Sequence, residues 1–178
     1  MRNVALVSGI ALLLAALPAA AETDQEAGEV DDRGDSLVPR TAIGYRKGRP
    51  KKINVVTLGW SDVEVRTAKA FLAMRQAAEE AGVELWIRSG FRSHEQQLMF
   101  YQAWREGWGN RAARPGHSNH QSGRALDIYI GDPGIFQWLE RNARRFGFKR
   151  TVRGEPWHWE YTGRPKTRKK RARQGLRT

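Results

Sequence analysis

The sequence predicts an α+β domain in which a small antiparallel β-sheet carries helices packed on one side. Three observations support this. A β-branched run from Ile53 to Leu58 is followed by a stretch of helical periodicity; the segment from Arg124 to Ile130 alternates apolar and polar residues; and short connections rich in Gly, Pro and Asn separate the elements.

Taken in order, Ile-Asn-Val-Val-Thr-Leu at 53–58 makes a strand, closed by Gly59 and the polar pair Ser61-Asp62. From Val63 to Ala81 apolar positions such as Val65, Ala68 and Leu72 recur near helical spacing, with Ser61 or Asp62 as the cap and Gly82 as the stop. Val83 to Arg88 alternates as a second strand. Ser89-Gly90-Phe91-Arg92 then turns, and Ser93 with Gln96 forms a capping box for a helix reaching about Glu106. Arg92 therefore sits at a strand-to-helix junction. Gly107 to Asn119 shows little periodicity and reads as a loop. Arg124 to Ile130 is a strand, Pro133 opens a third helix through Arg145, and Gly147 ends it. Phe148 to Val152 and Trp157 to Tyr161 form two short strands around an Arg153-Gly154 turn. The predicted order is helices first, then a sheet with one helix inserted.

The chain of 178 residues and 20.2 kDa accommodates about one domain. Its first residues, Met1-Arg2-Asn3, precede an apolar stretch from Val4 to Leu17 and the small-residue segment Pro18-Ala19-Ala20-Ala21. That order of charge, apolar run and small residues is the pattern of a signal peptide over 1–21, cleaved after Ala21. The apolar stretch falls short of the roughly 20 residues that span a bilayer. An exported protein is expected, in the periplasm or in the cell wall and extracellular space. The chain has no Cys, which removes disulfides and every thiolate role.

The net charge of +12 is unevenly spread, with seven acids and one Arg over 22–36 and eight bases without an acid over 164–178. Residues 22–44 read as an acidic disordered linker, 45–163 as the folded domain and 164–178 as a basic disordered tail. The tail suits electrostatic contact with an anionic wall or membrane surface. Export argues against nucleic acid as its partner. A monomer is expected.

The densest polar cluster is Gly116-His117-Ser118-Asn119-His120-Gln121-Ser122-Gly123-Arg124-Ala125-Leu126-Asp127. On the predicted strand Asp127 shares a face with Ala125 and Tyr129, opposite Leu126, Ile128 and Ile130, so its carboxylate leaves the apolar side. Taken alone, the segment fits a solvated Asp beside ordinary loop histidines equally well. The second cluster, Glu155-Pro156-Trp157-His158-Trp159-Glu160, alters that balance. Catalytic zinc takes three N or O side chains and keeps a position for water, and His120, Asp127 and His158 complete such a set. Glu155, three residues before His158, can act as the base that accepts the water's proton. Trp157 and Trp159 alternate with His158, so one face of that strand is aromatic core and the other reaches the metal.

Ser118-x-His120-x-x-Gly123-x-Ala125-x-Asp127, followed by Glu155-x-x-His158, resembles the signature of the zinc D-alanyl-D-alanine carboxypeptidases and dipeptidases of the VanY/VanX type. Ser89-Gly90-Phe91-Arg92-Ser93 with Gln97 is similar to that family's Ser-Gly-Tyr-Arg-Ser segment, with Phe91 replacing Tyr. The resemblance implies a Hedgehog/DD-peptidase-like fold, a zinc cofactor on His120, Asp127 and His158, and Glu155 as general base. It implies Arg92 as the electrophilic residue and Ser118 and Gln97 as substrate contacts. Zinc and a fixed guanidinium would together stabilise the oxyanion formed when water adds to a peptide carbonyl. His94 and His117 match no ligand position. The small residues Gly123 and Ala125 suit a close approach of substrate or metal to the backbone.

The function implied is that of a hydrolase, a zinc metallocarboxypeptidase releasing the terminal D-Ala from peptidoglycan stem peptides. A murein endopeptidase using the same zinc site is the alternative within the enzyme class. A non-catalytic, zinc-stabilised wall-binding module is the alternative outside it, and Glu155 separates the two.

Overall fold

The computed structural model describes residues 30–163, so the signal segment, residues 22–29 of the acidic stretch and the basic tail lie outside the described residues. Seven strands and three α-helices follow in the order β1 (Ser36–Arg46), β2 (Arg49–Leu58), β3 (Ser61–Glu64), α1 (Val65–Glu79), β4 (Ile87–Ser89), α2 (His94–Arg105), β5 (Ala125–Ile128), α3 (Pro133–Asn142), β6 (Phe148–Lys149) and β7 (His158–Tyr161). A 3₁₀ turn, Ala143–Phe146, extends α3 and ends at Gly147 in the left-handed conformation. No helix among the described residues is long and apolar enough to cross a membrane.

Two antiparallel sheets form where the sequence predicts one. The first has the order β1-β2-β3 and the second β4-β5-β7-β6. Residues 36–44, assigned to a disordered linker, are instead the greater part of β1, and the domain begins before Tyr45. β1 is mostly exposed, so it lacks the apolar alternation by which a strand is recognised; backbone pairing to β2 forms it. It is an edge strand, and its pairing is interrupted between Ser36 and Arg40, around Pro39, which has no N–H to donate.

The polar pair Ser61-Asp62 belongs to β3, which returns along β2 after a tight turn at Gly59-Trp60. The cap of α1 is consequently Glu64, whose carboxylate accepts from the backbone N–H groups of Arg66 and Thr67. The strand expected over 83–88 shrinks to Ile87–Ser89, because the Val83 N–H closes the end of α1 on the Ala78 carbonyl and β5 offers only a short partner. The capping box of Ser93 and Gln96 forms as predicted.

The core lies between the apolar face of the second sheet and helices α1 and α3. Leu126 and Ile128 of β5, Trp159 of β7 and Phe148 of β6 meet Phe71 and Met74 of α1 and Trp138 and Leu139 of α3. Val56, Leu58 and Val63 of the first sheet close one side of this cluster. Helix α2 stands apart from it and buries only Gln97 and Ala103. Backbone contact ties the sheets together at the turn before α2: the Phe91 N–H donates to Asp62 O, and a Cβ on Gly90 would lie 2.3 Å from that same oxygen. Only Gly fits there.

Candidate metal centre

β5 and β7 are antiparallel neighbours, and their register sets Asp127 opposite His158. The strand period of two buries Leu126, Ile128 and Trp159 on one face while Asp127, His158 and Glu160 occupy the other. His120 arrives from the loop before β5. A close approach shapes that loop: Gly123 has φ +71°, and a Cβ on it would meet the Glu64 side chain at 2.4 Å. The need for a small residue at 123 thus comes from the cap of α1, not from substrate or metal. Thr67 of α1 adds a 2.7 Å hydrogen bond to the Gly123 carbonyl.

These elements bring His120, Asp127 and His158 together with ligand atoms within 4.8 Å of one another. Asp127 Oδ1 lies 3.3 Å from His120 Nε2 and 3.0 Å from His158 Nδ1. The outer nitrogens of both rings are occupied. His120 Nδ1 donates to the Gly90 carbonyl at 2.7 Å, which leaves Nε2 with its lone pair toward Asp127. His158 Nε2 donates to Glu160 Oε1 at 3.2 Å, which turns Nδ1 inward. Such outer hydrogen bonds orient histidine ligands in metal sites, and the set of two imidazoles and one carboxylate suits zinc. The three residues form a group that could hold that ion.

Charge is distributed unequally between the two histidines. Burial pushes the His120 imidazole below its ordinary value and keeps it neutral. Burial acts likewise on His158, but hydrogen bonds to Asp127 and Glu160 outweigh it and raise the ring to about 9. Burial would raise both carboxyls; the adjacent His120 and His158 rings and the Arg92 guanidinium instead hold Asp127 well below the usual carboxylate range. His158, Thr151 and Asn119 together bring Glu160 to about 2.

The structure brings Arg92 to this cluster. Its Nη2 donates to Asp127 Oδ2 at 2.7 Å, its Nε to Ser89 Oγ at 2.9 Å, and its guanidinium lies over the Phe100 ring, 4.5 Å from the centroid. Arg92 thereby fixes the carboxylate oxygen that does not face the histidines. Its Nη1 has no partner among the described residues. Burial lowers the Arg92 pKa, opposed by the negative charges of Asp127 and Glu155. Glu155 itself lies in the turn before β7, where its carbonyl accepts from the His158 N–H at 3.1 Å. No hydrogen bond or ion pair engages its carboxylate among the described residues.

Ser118 is buried beside His120, its Oγ accepting the His120 N–H at 3.3 Å. Gln97 is only 1% exposed and donates to the Ala113 carbonyl, so it anchors the loop after α2; its Oε1 has no partner among the described residues. His94 and His117 stay outside the metal group, His94 packing on the Tyr45 ring and His117 against Gly48. Glu160, which accepts from His158, is the member of this cluster that sequence reasoning missed. The signal was present, because Glu160 lies two residues beyond His158 on a strand and must share its face.

Comparison with known proteins yields a consistent result. A family model described as "VanY: D-alanyl-D-alanine carboxypeptidase" matches residues 61–164. A D-alanyl-D-alanine carboxypeptidase of Enterococcus faecalis is 30% identical over 132 residues, covering 57% of this chain and 48% of the relative. The chain spans about half the length of the curated relatives it matches. Among solved structures, VanYB in complex with D-alanine-D-alanine is similar with a TM-score of 0.57 and 25% identity, covering 71% of this chain and 86% of that one. A variant of the D,D-pentapeptidase VanY from the VanB-type resistance cassette, in complex with Zn(II), gives the same TM-score and identity over 71% and 88%.

Proposed function

The chain belongs to the VanY D-alanyl-D-alanine carboxypeptidase family, and from that premise we propose that it is a zinc peptidase removing the terminal D-Ala from peptidoglycan stem peptides that end in D-Ala-D-Ala. The observation that carries the reading is the pairing of an inward-facing His120, Asp127 and His158 group with one unengaged carboxylate, Glu155, in the adjoining turn.

His120, Asp127 and His158 would hold a zinc ion, which would supply Lewis acidity toward the water and the scissile carbonyl. The chain's own residues do the rest. Gly90 and Glu160 lock the two imidazoles in the tautomers that present Nε2 of His120 and Nδ1 of His158. Arg92 holds Asp127 through Nη2 and keeps Nη1 to meet the oxygen on which negative charge develops. Glu155 accepts the proton of the attacking water and passes it to the leaving amine. Ser118, whose Oγ accepts from the backbone, retains a hydroxyl proton to donate to substrate.

We place the protein outside the cytoplasmic membrane on the order of residues 1–21 and on the location of the substrate. The experiment is incubation of purified zinc-loaded protein with a muropeptide ending in D-Ala-D-Ala, with and without chelator. Release of free D-Ala that chelator stops and zinc restores is the expected result. Cleavage at an internal bond would assign an endopeptidase, and zinc binding without any cleavage would leave a binding module.

A further inference from the structure

Beside the metal centre the β1–β2 hairpin builds a surface that the proposed reaction does not use. The hairpin turns at Lys47-Gly48, with φ +53° and +77°, the pattern of a two-residue turn in which both central residues are left-handed. Asn or Gly normally occupies the first of these positions, and Lys47 is the only non-glycine residue with positive φ among the described residues. The strained tip is held firmly. Gly48 N–H donates to Gly116 O and Tyr45 N–H to Gln121 O, each at 2.8 Å, so the hairpin is fastened to the loop that carries His120.

Two adjoining clefts open along this seam and share Tyr45, Arg46, Ser122 and Arg124. One reaches Ser118 and Glu160, the neighbours of His120 and His158; the other runs away past Lys51 to Arg66. Their acids are already engaged: Glu64 pairs with Arg66 and caps α1, and Glu160 holds His158 and Asn119. Arg46, Lys47, Lys51 and Arg124 take part in no ion pair among the described residues. The groove therefore presents a row of unneutralised cations. Both hairpin strands precede residue 61, where the family match begins.

We infer that Arg46 and Lys47 of the hairpin, with Arg124, form a subsite for a free carboxylate carried by the peptide on the N-terminal side of the scissile bond. The inference rests on the carboxypeptidase reading. Only one residue of the substrate lies beyond the bond that such an enzyme cuts, so a groove leading away from the metal meets the part of the peptide that precedes it. Guanidinium and ammonium groups on a rigid turn suit a carboxylate there.

The test uses the full zinc-loaded chain and two synthetic peptides ending in D-Ala-D-Ala, identical except that one upstream carboxylate is replaced by a carboxamide. Wild type is compared with the double variant Arg46→Gln and Lys47→Asn, in which Asn suits the left-handed turn and preserves it. Wild type is expected to favour the acid peptide by about tenfold in kcat/KM, as charge-assisted hydrogen bonds would give, and added salt should shrink the ratio. The double variant should bring that ratio toward one. A wild type without preference, or a variant that keeps the preference, overturns the subsite. If wild type cleaves neither peptide, the carboxypeptidase reading fails, and the same two peptides are compared by calorimetric binding. Acid-selective binding that the double variant loses sustains the subsite, and equal binding of the two peptides by wild type overturns it.

Discussion

The two sheets of this protein divide their work against expectation. β1 and β2 run to 11 and 10 residues, yet β1 buries a single residue, Tyr45's neighbour Gly44. No strand of the metal-bearing sheet exceeds four residues, and that sheet carries the core on one face and two of the three candidate ligands, Asp127 and His158, on the other, with His120 supplied by the loop before β5. Strand length therefore says little about where stability and chemistry reside. The short strands are fixed on both faces, by apolar packing beneath and by a closed polar network above. In the long hairpin β2 adds Val56 and Leu58 to the core, whereas β1 is held mainly by backbone pairing and by its fastening to the His120 loop, which leaves the side chains of β1 and the turn available for charge.

Substitutions can sharpen or break this contrast. The largest effect is expected at Glu155: Glu155→Gln should lower kcat by about 10²- to 10⁴-fold while zinc content, measured by elemental analysis, stays at wild-type level. Unchanged turnover would remove Glu155 as the base. Next, Leu126→Ala in β5 should cost about 2–5 kcal/mol in urea unfolding, because it opens a cavity beneath the ligands. Ile43→Ala in β1, where the side chain is 49% exposed, should stay within about 0.5 kcal/mol. Equal losses at the two positions would break the comparison.

Glu160→Gln should weaken zinc binding by about 10- to 100-fold in competition with a chelator, since Glu160 orients His158 without touching the metal itself. The smallest signal concerns protons. In the metal-free protein the raised pKa of His158, about 9, means that its ring is protonated at neutral pH, whereas the lowered values at Asp127 and His120 mean that these ligands are not. Zinc must displace that proton, so uptake at neutral pH should release about one proton, and the release should fade as pH rises above the His158 value. Calorimetry in buffers of different ionisation enthalpy measures it; heats independent of the buffer would contradict the charge assignment.

Much of the metal-bearing half was legible in the sequence. Alternation at 125–128 separated Asp127 from the core, and two spaced clusters supplied the donors His120 and His158. What escaped has physical reasons. β1 is stabilised by hydrogen bonds that any side chain permits, so no periodicity betrays it. Gly123 looked like a site for substrate approach because sequence cannot reveal that Glu64, 59 positions earlier, packs against it. Gln97 followed the family's substrate pattern, but burial against the Ala113 carbonyl is a tertiary fact. The attachment of Arg92 to Asp127 likewise depends on a strand-to-loop contact that no local pattern encodes.

The pairing of β2 with β3 reaches across the start of the family match at residue 61, through Val55–Glu64, Val56–Val63, Thr57–Asp62 and Leu58–Ser61. A fragment trimmed to the matched region would keep β3 and lose the strand that covers it. Its bared N–H and C=O groups, next to the fully buried Val63, would become a template for strand addition between molecules. Trimming to the recognisable domain would thus favour aggregation, and the hairpin acts as a protective cover for the enzyme-like half as well as its charged border.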